Sequence, residues 1–589
     1  MAKNKRNASK IPPIQVDLTE KTELELNSAI TNLKRFDYMI VPALAFIAAV
    51  WAFFHVGTSI EWDDLLYMNL SQYTTKQGWV LNRYGHIYLQ KFFMFLLNDS
   101  IAGAKAYWCF LFFSTSLLVY YCAKLISDKK SYLVAAISMM FFIVQPLFAR
   151  YAGCTFADAT VMFLAMLGTF IYLGFLCEDS KHRNWFILFL GMIFLWAVKS
   201  KETGICLAPL FLSLGQDSSG SRSLKRFITE AKFAIIGVFS AYLILMLCDL
   251  AFMGDFFFSL RPSSWQGVLG FNFRVPHQKK AMSSWYSYIS SLALFGPFLL
   301  YIIAGCRLPE KDPTGKKSFA WLVPLVVLFF LSFIRGRWHI VPRYIAPIIP
   351  GVCVWAGQFF AFDLKGKKFF AKLNIAISKK LIAAVLAVIA FVVLLIIMSK
   401  VPHCVKTFRV KDAAKFYAVA IMPFAVTLLL IVSVLSKKRA FSAWFFTILA
   451  FFMLIYFPLT QGFKSLKNED VKRSSEWRYQ PYKIFADQLR FDKDVKILIS
   501  KDIHKRSWML GRDDRSHCWM FNIFFNQQFE YDQFIDAEFS DITTTECTFA
   551  FLTFDDWNKL TEKKLAAKLQ QKYEIKSDKK IGVVFLKKR

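Results

Sequence analysis

Long apolar runs alternate with short polar segments over the first 461 residues of the chain. A helix needs roughly 20 apolar residues to cross a hydrocarbon layer about 30 Å thick, because each residue advances it by about 1.5 Å. The pattern predicts thirteen spanning helices, and therefore an all-α polytopic membrane fold. The predicted spans are 36–54, 101–123, 131–149, 157–177, 184–199, 203–215, 231–253, 285–304, 318–334, 340–362, 381–399, 413–436 and 440–461.

The least regular part of this pattern lies between the fifth and sixth predicted spans. Lys199-Ser200-Lys201-Glu202 interrupts sequence that is otherwise continuously apolar, and the sixth span is short. We expect a break at this point, because charged residues inside a membrane helix are costly. A single merged helix remains an alternative, and it would invert the topology of every later segment.

Composition supports a membrane protein rather than a soluble one. Of the 589 residues 56% are hydrophobic and 64 are Phe, more apolar side chain than a soluble protein can bury. The net charge is +31, but the Lys and Arg residues are spread over many short loops between the predicted spans. This distribution is typical of cytoplasmic loops in membrane proteins. We therefore expect the lipid bilayer as a partner and no nucleic acid.

The topology follows from the basic loops. Residues 1–35 form a polar tail without the pattern of a cleavable signal peptide, so the first span is expected to stay as an anchor. With this tail in the cytoplasm, every predicted inner loop is basic, as the positive-inside rule expects. These loops are Lys124–Lys130, Lys181–Arg183, Arg222–Lys232, Arg307–Lys317, Lys365–Lys380 and Lys437–Arg439. An odd number of spans then places residues 462–589 outside, in the periplasm if the membrane is a bacterial inner membrane.

The chain thus divides into the cytoplasmic tail 1–35, a membrane domain over 36–461 with a long first outer loop over 55–100, and a soluble domain over 462–589. The soluble domain is predicted to be a small α/β fold. Its predicted strands cover 495–499, 548–552 and 581–586, and its predicted helices cover 482–489 and 558–573. We find no catalytic motif in this domain, and a lid or acceptor-docking module is the simplest interpretation.

Two cysteines of the soluble domain, Cys518 and Cys547, leave a choice open. They form a disulfide or remain two thiols, because an outer-face domain lies in an oxidising compartment but the spacing does not require a bond.

The predicted outer loops carry charges that the positive-inside rule does not explain. The first outer loop contains Asp63, Asp64 and Tyr67, followed by Arg83 and Lys91, and two short helices along the membrane surface would suit its sequence. Further charged or aromatic residues near outer helix ends are Arg150, Asp158, Lys201, Glu202, Arg343 and Tyr344. Arginines in short outer loops indicate an anionic partner, because guanidinium groups bind phosphate and carboxylate in a bidentate manner.

An acidic pair beside a group of cations at a membrane surface suits one reaction, the transfer of a sugar from a polyprenyl phosphate donor to an acceptor. A carboxylate would take the proton of the acceptor as a general base. The cations would stabilise the charge on the departing phosphate, and the lipid tail would contact the apolar helices. Because the cations supply this stabilisation, we expect no cofactor and no divalent metal.

The same residues carry a family resemblance. The run Asp63-Asp64-Leu65-Leu66-Tyr67 resembles the Asp-Glu-x-x-Tyr element in the first outer loop of GT-C glycosyltransferases. Within that fold the chain resembles protein O-mannosyltransferases and lipid A aminoarabinose transferases. The resemblance covers roughly residues 36–360, and each motif is short. The further matching elements are Lys91, Arg150-Tyr151 with Asp158, Ser200-Lys201-Glu202-Thr203-Gly204 and Pro342-Arg343-Tyr344-Ile345-Ala346-Pro347.

This resemblance implies roles for the candidate residues. Asp63 would be the base and Asp64 its acidic neighbour, while Asp158 would position the acceptor or the sugar. A single displacement would invert the anomeric carbon. The implied substrate-binding residues are Tyr67, Arg83, Lys91, Arg150, Lys201, Glu202, Arg343 and Tyr344.

Three departures from the family pattern leave the subfamily and the acceptor open. Asp64 replaces the usual Glu, Phe92-Phe93 replaces a Pro-Pro pair, and Glu202 stands where Gly is typical. The acceptor is therefore a lipid, a glycan or a protein, and the sugar and prenyl length are not specified.

Other interpretations remain open. A transporter or flippase of a lipid-linked sugar would also need outer cations and an apolar groove, but it should place ionisable groups deep within its spans. A non-catalytic subunit that binds through its soluble domain would leave the Asp63 and Arg343 loops unexplained. The Asp63-Asp64 pair could be a helix N-cap, and Lys91 and Lys201 could extend from helix ends to lipid headgroups.

Overall fold

The computed structural model describes residues 36–55, 67–71, 83–127, 132–143, 157–177, 180–217, 219–261, 297–306, 312, 314–333, 346–363, 495–500, 533–537, 543–578 and 583–589. The predicted spans over 381–399, 413–436 and 440–461, the predicted helix over 482–489 and the tail 1–35 lie outside these residues.

The described part of the membrane region is helical. A π-helical turn Phe36–Ile40 leads into α1, and residues 67–71 form a short helical segment. The helices are α1 Val41–His55, α2 Tyr84–Leu97, α3 Ser100–Ile126, α4 Tyr132–Ile143, α5 Ala157–Ile171 with a π-helical extension Tyr172–Leu176, α6 Arg183–Ser200, a 3-10 helix Glu202–Ser213, α7 Leu224–Met253, α8 Pro297–Cys306, α9 Lys316–Phe333 and α10 Ile349–Asp363.

Four of the described helices are long and apolar enough to cross a membrane, namely α3, α5 with its extension, α6 and α7. They confirm the second, fourth, fifth and seventh predicted spans, with small shifts at their ends. The largest shift is at α7, which begins at Leu224 instead of 231 because the Ser223 side chain caps its first turn. The chain is an integral membrane protein, and the predicted number of thirteen spans stays a prediction.

The break between the fifth and sixth predicted spans is real. Lys201 is extended, with φ −165° and ψ 151°, and the 3-10 helix Glu202–Ser213 then runs back beside α6. At the start of the 3-10 helix, Gly204 lies directly against Ala197 near the end of α6. Just after the 3-10 helix, the Gly215 N–H and Arg183, which starts α6, both donate to the Glu230 carboxylate. Twelve 3-10 residues cover about 24 Å and the 18 residues of α6 about 27 Å. The two segments are therefore antiparallel and of similar length, and a membrane crossing by the 3-10 helix stays a prediction.

Because the 3-10 helix brings the chain back to the end where α6 begins, α6 and α7 run parallel. They pack closely through small residues. A Cβ at Gly191 would lie 2.3 Å from the Ala234 carbonyl oxygen, and one at Gly237 would lie 2.0 Å from the Leu188 carbonyl oxygen. Small residues allow this approach because dispersion contacts, not water exclusion, hold helices together in lipid. A single stripe of α7 is buried, formed by Glu230, Ala234, Gly237, Ala241, Leu245, Asp249 and Met253.

Parts of four predicted inner loops meet at one end of this bundle. Arg183 and Arg226 both donate to Glu230 Oε1, at 2.7 and 2.8 Å, and Lys317 donates to the carbonyl oxygen of Ile126 at 3.4 Å. Tyr172 also donates to the carbonyl oxygen of Lys316. These loops therefore share one end, as the topology requires, and the membrane side on which they lie stays a prediction.

The C-terminal residues form a five-stranded sheet with the order β2-β1-β3-β5-β4. β1 is parallel to β2 and β3, and β5 is antiparallel to β3 and β4. The bounds are β1 Ile497–Ser500, β2 Phe534–Ala537, β3 Phe549–Thr553, α11 Phe554–Glu562, α12 Ala566–Lys572, β4 Tyr573–Asp578 and β5 Val583–Lys588. The three predicted strands are confirmed within two residues, and β2 and β4 were not predicted.

The predicted helix over 558–573 is wrong in two respects. It is two helices, because Lys563 to Leu565 form a turn in which Lys564 has φ 58°. Tyr573 starts β4 instead of ending a helix, and its side chain packs in the core of the sheet. There Cys547 is a free, buried thiol within 3.5 Å of the Tyr573 hydroxyl, and burial raises its pKa. Cys518 lies outside the described residues.

The close contact of α6 and α7 predicts a steric effect. Gly237→Ala would place a methyl group against the Leu188 carbonyl and is expected to destabilise the protein by about 1–3 kcal/mol. Gly174→Ala is the control, because its Cβ would meet only Leu125 Cδ1 at an ordinary 3.5 Å. Thermal unfolding in detergent should show a lower Tm for Gly237→Ala alone. Equal Tm values for both variants would contradict this packing.

Candidate active site

Helix α2 carries two candidate residues, Arg83 at its start and Lys91 in its third turn, and it packs against α3 and α6. The Trp196 indole N–H donates to the Gly85 carbonyl oxygen at 2.9 Å, and a Cβ at Gly85 would lie 2.6 Å from Ser200 Oγ. Only glycine allows α2 to approach the end of α6 this closely. The C-terminal half of α2, beyond this contact, exposes Phe92, Phe95, Leu96 and Leu97. An apolar exposed face of this kind suits a helix at the membrane surface, as the sequence predicts.

The most buried charged pair at this end joins α5 to the break after α6. Lys201 Nζ lies 2.6 Å from Asp158 Oδ1, and the two side chains are 1% and 5% exposed. Asp158 is in the first turn of α5, where the helix dipole favours a negative charge. Lys201 is the extended residue between two helices, and its N–H still donates to the Ala197 carbonyl oxygen. Two sequence-predicted candidates, 43 residues apart, are thus brought into direct contact.

Three further candidates form a second group beside this pair. Arg83 donates through Nη1 to the Tyr67 hydroxyl, and its Nη2 lies 3.9 Å from Glu202 Oε2. The guanidinium also lies 5.6 Å from the centre of the Tyr67 ring. The side chains of Arg83 and Glu202 are each 22% exposed. A ligand can therefore reach this group, whereas the Lys201–Asp158 pair is shielded.

Lys91 lies about 12 Å from Arg83 along α2, eight residues further on. Its ammonium is 4.7 Å from the centre of the Phe252 ring, near the end of α7. Partial burial lowers the pKa of Lys91, because the charged form loses water. A phosphate beside it would favour the charged form, so this lysine suits an anionic ligand at the boundary between lipid and water.

Two buried groups at the same end were not predicted from the sequence. Asp249, fully buried near the end of α7, accepts hydrogen bonds from Tyr88 and from the Ser259 N–H. His86 Nδ1 and the Tyr107 hydroxyl both lie within hydrogen-bond distance of Thr160 Oγ1, at 2.8 and 2.7 Å. An aspartate inside an otherwise apolar span was an available signal for the first group. The second group has no such signal, because its members are distant in sequence.

The remaining candidates lie outside the described residues, namely Asp63, Asp64, Arg150, Arg343 and Tyr344. Their roles stay predictions. Within the described ranges no three His, Cys, Asp or Glu residues are grouped as metal ligands would be.

The described site therefore combines one neutralised pair, Lys201 with Asp158, and two accessible cations, Arg83 and Lys91. It lies where α2, α5, α6 and α7 meet, with the apolar surface of α2 beside it. Such a site can hold an anionic head group at the membrane boundary while an attached apolar chain stays in lipid.

The Lys201 pair predicts a stability effect that is separate from catalysis. Lys201→Met leaves the Asp158 carboxylate buried without its cation and is expected to cost about 3–5 kcal/mol. Adding Asp158→Asn to Lys201→Met should recover part of this loss, because no buried charge is then left. Thermal unfolding in detergent measures both, with the exposed Lys225→Met as the control. A single variant as stable as the control would contradict the buried pair.

Comparison with solved structures identifies the same architecture. ArnT from Cupriavidus metallidurans bound to undecaprenyl phosphate aligns with a TM-score of 0.50 and 13% identity over 93% of this chain and 97% of that one. Its apo form aligns with a TM-score of 0.50 and 14% identity, over 95% and 98% of the two chains. The apo oligosaccharyltransferase of Archaeoglobus fulgidus aligns less closely, with a TM-score of 0.45 and 10% identity over 90% and 71%.

No protein-family model matches the chain, and no curated protein matches its sequence significantly. At these identities the ArnT likeness shows the fold alone, yet it extends over nearly the whole of both chains. The chain is similar in architecture to ArnT, a lipid A aminoarabinose transferase, and has the GT-C fold of membrane glycosyltransferases.

Proposed function

We propose that the protein is an integral membrane glycosyltransferase that moves a sugar from a polyprenyl phosphate donor to an acceptor on the outer face of the membrane. The observation that carries this proposal is the grouping of Lys91, Arg83 and the Lys201–Asp158 pair at one end of the bundle. Cations gathered at a lipid boundary suit the phosphate of a lipid-linked donor.

The proposed reaction is a single inverting displacement. The acceptor hydroxyl oxygen attacks the anomeric carbon, and the bond from that carbon to the phosphate oxygen breaks. The electron pair leaves with the polyprenyl phosphate, and Asp63 takes the acceptor proton as general base. Asp64 is its acidic neighbour, and Asp158, held by Lys201, positions the acceptor or the sugar.

The cations would bind the phosphate before and after the displacement. Lys91, Arg343, Arg150 and the Tyr67–Arg83–Glu202 group would hold the head group, with Lys201 beside them in its ion pair with Asp158, and Tyr344 would line the same site. Their charge stabilises the departing phosphate, so we propose that no divalent metal takes part. ArnT was solved with undecaprenyl phosphate, which supports a lipid phosphate as the ligand of this fold.

The position of the charges favours an enzyme over a transporter or flippase. Among the described spans, the ionisable side chains lie in the terminal two to three turns of each helix, as with Asp158, Arg183, Lys199, Glu230 and Asp249. Alternating access would instead call for ionisable groups near the middle of the membrane.

We further propose that the protein lies in a bacterial inner membrane with the soluble domain in the periplasm. The basic residues at the Arg183–Glu230 end support a cytoplasmic location for that end by the positive-inside rule. The site end then faces outward, where residues 462–589 would cover it or dock the acceptor.

Two lysines in the same local setting give a matched test of the phosphate site. The Lys91 ammonium lies 4.7 Å from the Phe252 ring centre, and the Lys124 ammonium lies 4.6 Å from the Tyr132 ring centre at the opposite end. Lys91→Met is expected to raise the KM for a polyprenyl phosphate sugar roughly tenfold or more, because an ion pair to phosphate is lost. Lys124→Met should leave the KM within twofold of wild type.

The assay is sugar transfer by purified protein in lipid nanodiscs, with product followed by mass spectrometry. Asp63→Asn should abolish transfer in the same assay while the protein stays folded and inserted. Unchanged turnover in Asp63→Asn would exclude the proposed base, and equal KM values for the two lysine variants would exclude the phosphate site.

The orientation has its own test. Lys568→Cys in the soluble domain and Lys225→Cys at the opposite end of the bundle both place a thiol at an exposed position. An impermeant maleimide applied to intact spheroplasts should label Lys568→Cys and should label Lys225→Cys only after permeabilisation. Protection of Lys568→Cys in intact spheroplasts would overturn the odd number of spans.

A further inference from the structure

A second set of buried polar groups lies at the site end and has no part in the proposed mechanism. Asp249 is fully buried four residues before the end of α7, and Lys199 is fully buried near the end of α6. Ionisable side chains are rarely placed within membrane helices unless they have a function, because their desolvation is costly. Each of these two residues therefore needs an explanation.

Both residues converge on the turn that follows α7. Asp249 Oδ2 accepts the Ser259 N–H at 2.9 Å, and Lys199 Nζ donates to the Ser259 carbonyl oxygen at 3.1 Å. The Tyr242 hydroxyl donates to the same carbonyl at 2.7 Å. We call Tyr88, Lys199, Tyr242, Asp249 and Ser259 the Asp249 clamp.

Tyr88 connects α2 to this clamp. The Tyr88 hydroxyl donates to Asp249 Oδ1, and the bond joins residues 161 positions apart. Burial and the adjacent Asp249 carboxylate both raise the pKa of Tyr88, so its hydroxyl keeps the proton that it donates. The Tyr88 ring also lies 5.4 Å from the Phe252 ring.

The spacing on the two helices couples the clamp to Lys91. Tyr88 and Lys91 are three residues apart on α2, and Asp249 and Phe252 are three residues apart on α7. Residues three apart lie on the same face of a helix, one turn along. The Tyr88–Asp249 hydrogen bond and the contact of Lys91 with Phe252 are therefore successive turns of one interface.

We propose that Asp249 is a positioning residue for Lys91. By accepting the Tyr88 hydrogen bond, it fixes the register of α2 on α7 that places the Lys91 ammonium over Phe252 and toward the donor phosphate. The Ser259 N–H holds the Asp249 side chain in place, and Lys199 in turn holds the Ser259 carbonyl oxygen. This inference rests on the proposed function, in which Lys91 binds the phosphate.

Tyr88 and Tyr84 provide a matched pair for the test. They lie one turn apart on α2, and both side chains are buried. The Tyr84 hydroxyl makes no hydrogen bond with any of the residues described, and its ring contacts Phe258 edge-on. Tyr88→Phe and Tyr84→Phe thus remove the same atom from similar surroundings, but only Tyr88→Phe removes a bond to Asp249.

The measurement is the Kd for undecaprenyl phosphate in detergent, with phosphatidylglycerol as the control lipid. Tyr88→Phe is expected to weaken binding about tenfold, as for the loss of a hydrogen bond to a charged group, and Tyr84→Phe less than twofold. Adding Tyr88→Phe to Lys91→Met should have no further effect, because Tyr88 acts through Lys91. Asp249→Asn keeps an acceptor for Tyr88 and should bind more tightly than Asp249→Ala.

The outcomes separate the two proposals. If Lys91→Met binds undecaprenyl phosphate as wild type does, the proposed function fails and this inference fails with it. Only the positioning role is overturned if Lys91→Met weakens binding but Tyr88→Phe does not. The same holds if Tyr88→Phe weakens binding by an equal factor whether residue 91 is Lys or Met. Equal losses in Asp249→Asn and Asp249→Ala would also overturn it, and that comparison holds even if Tyr88→Phe folds poorly.

Discussion

The ion pair between Lys201 and Asp158 is the constraint on which this end of the molecule depends. An ammonium and a carboxylate 2.6 Å apart and almost fully buried are stable only as a pair, because each alone would lose its hydration without compensation. The pair requires the start of α5 to meet the residue after α6. It therefore also requires the chain to leave helical geometry at Lys201, and the extended backbone there meets that requirement.

The helical hairpin formed by α6 and the 3-10 helix follows from that break and sets the arrangement of α7. Because the 3-10 helix returns to the other end, α6 and α7 run parallel and meet through Gly191 and Gly237. The buried stripe of α7 has a carboxylate near each end, with Glu230 bonded to Arg183 and Asp249 in the clamp with Lys199. These polar contacts fix the lengthwise position of α7, since apolar side chains in lipid resist sliding only weakly.

The sequence predicted the features that depend on local composition. Apolar runs located α3, α5, α6 and α7, and the charges at Lys199 to Glu202 located the break. The candidates Asp158 and Lys201 were recognised from short motifs, and the structure brings them into contact. The catalytic role of Asp158 and the substrate-binding role of Lys201 stay predictions, as do the roles of Asp63 and Arg343.

Features that depend on contacts between residues far apart in the chain could not be predicted from the sequence. The Tyr88–Asp249 bond joins residues 161 apart, and no local pattern specifies such a pair. The apolar pattern predicts a short span over 203–215 but does not predict its 3-10 geometry. Strands β2 and β4 were not predicted, because Phe534–Ala537 is only four residues long and Tyr573–Asp578 is mostly polar. Pairing with β1 and β5 is what stabilises them as strands.

Identifying the lipid that the protein carries from its own membrane tests the proposed donor site most directly. Native mass spectrometry of protein extracted gently from cells should reveal a bound lipid whose masses differ by isoprene units and include one phosphate and one sugar. The same spectrum would give the sugar from its mass. Bound phospholipids alone, in protein that is folded and saturated with membrane extract, would contradict the claim that this site holds a polyprenyl phosphate donor.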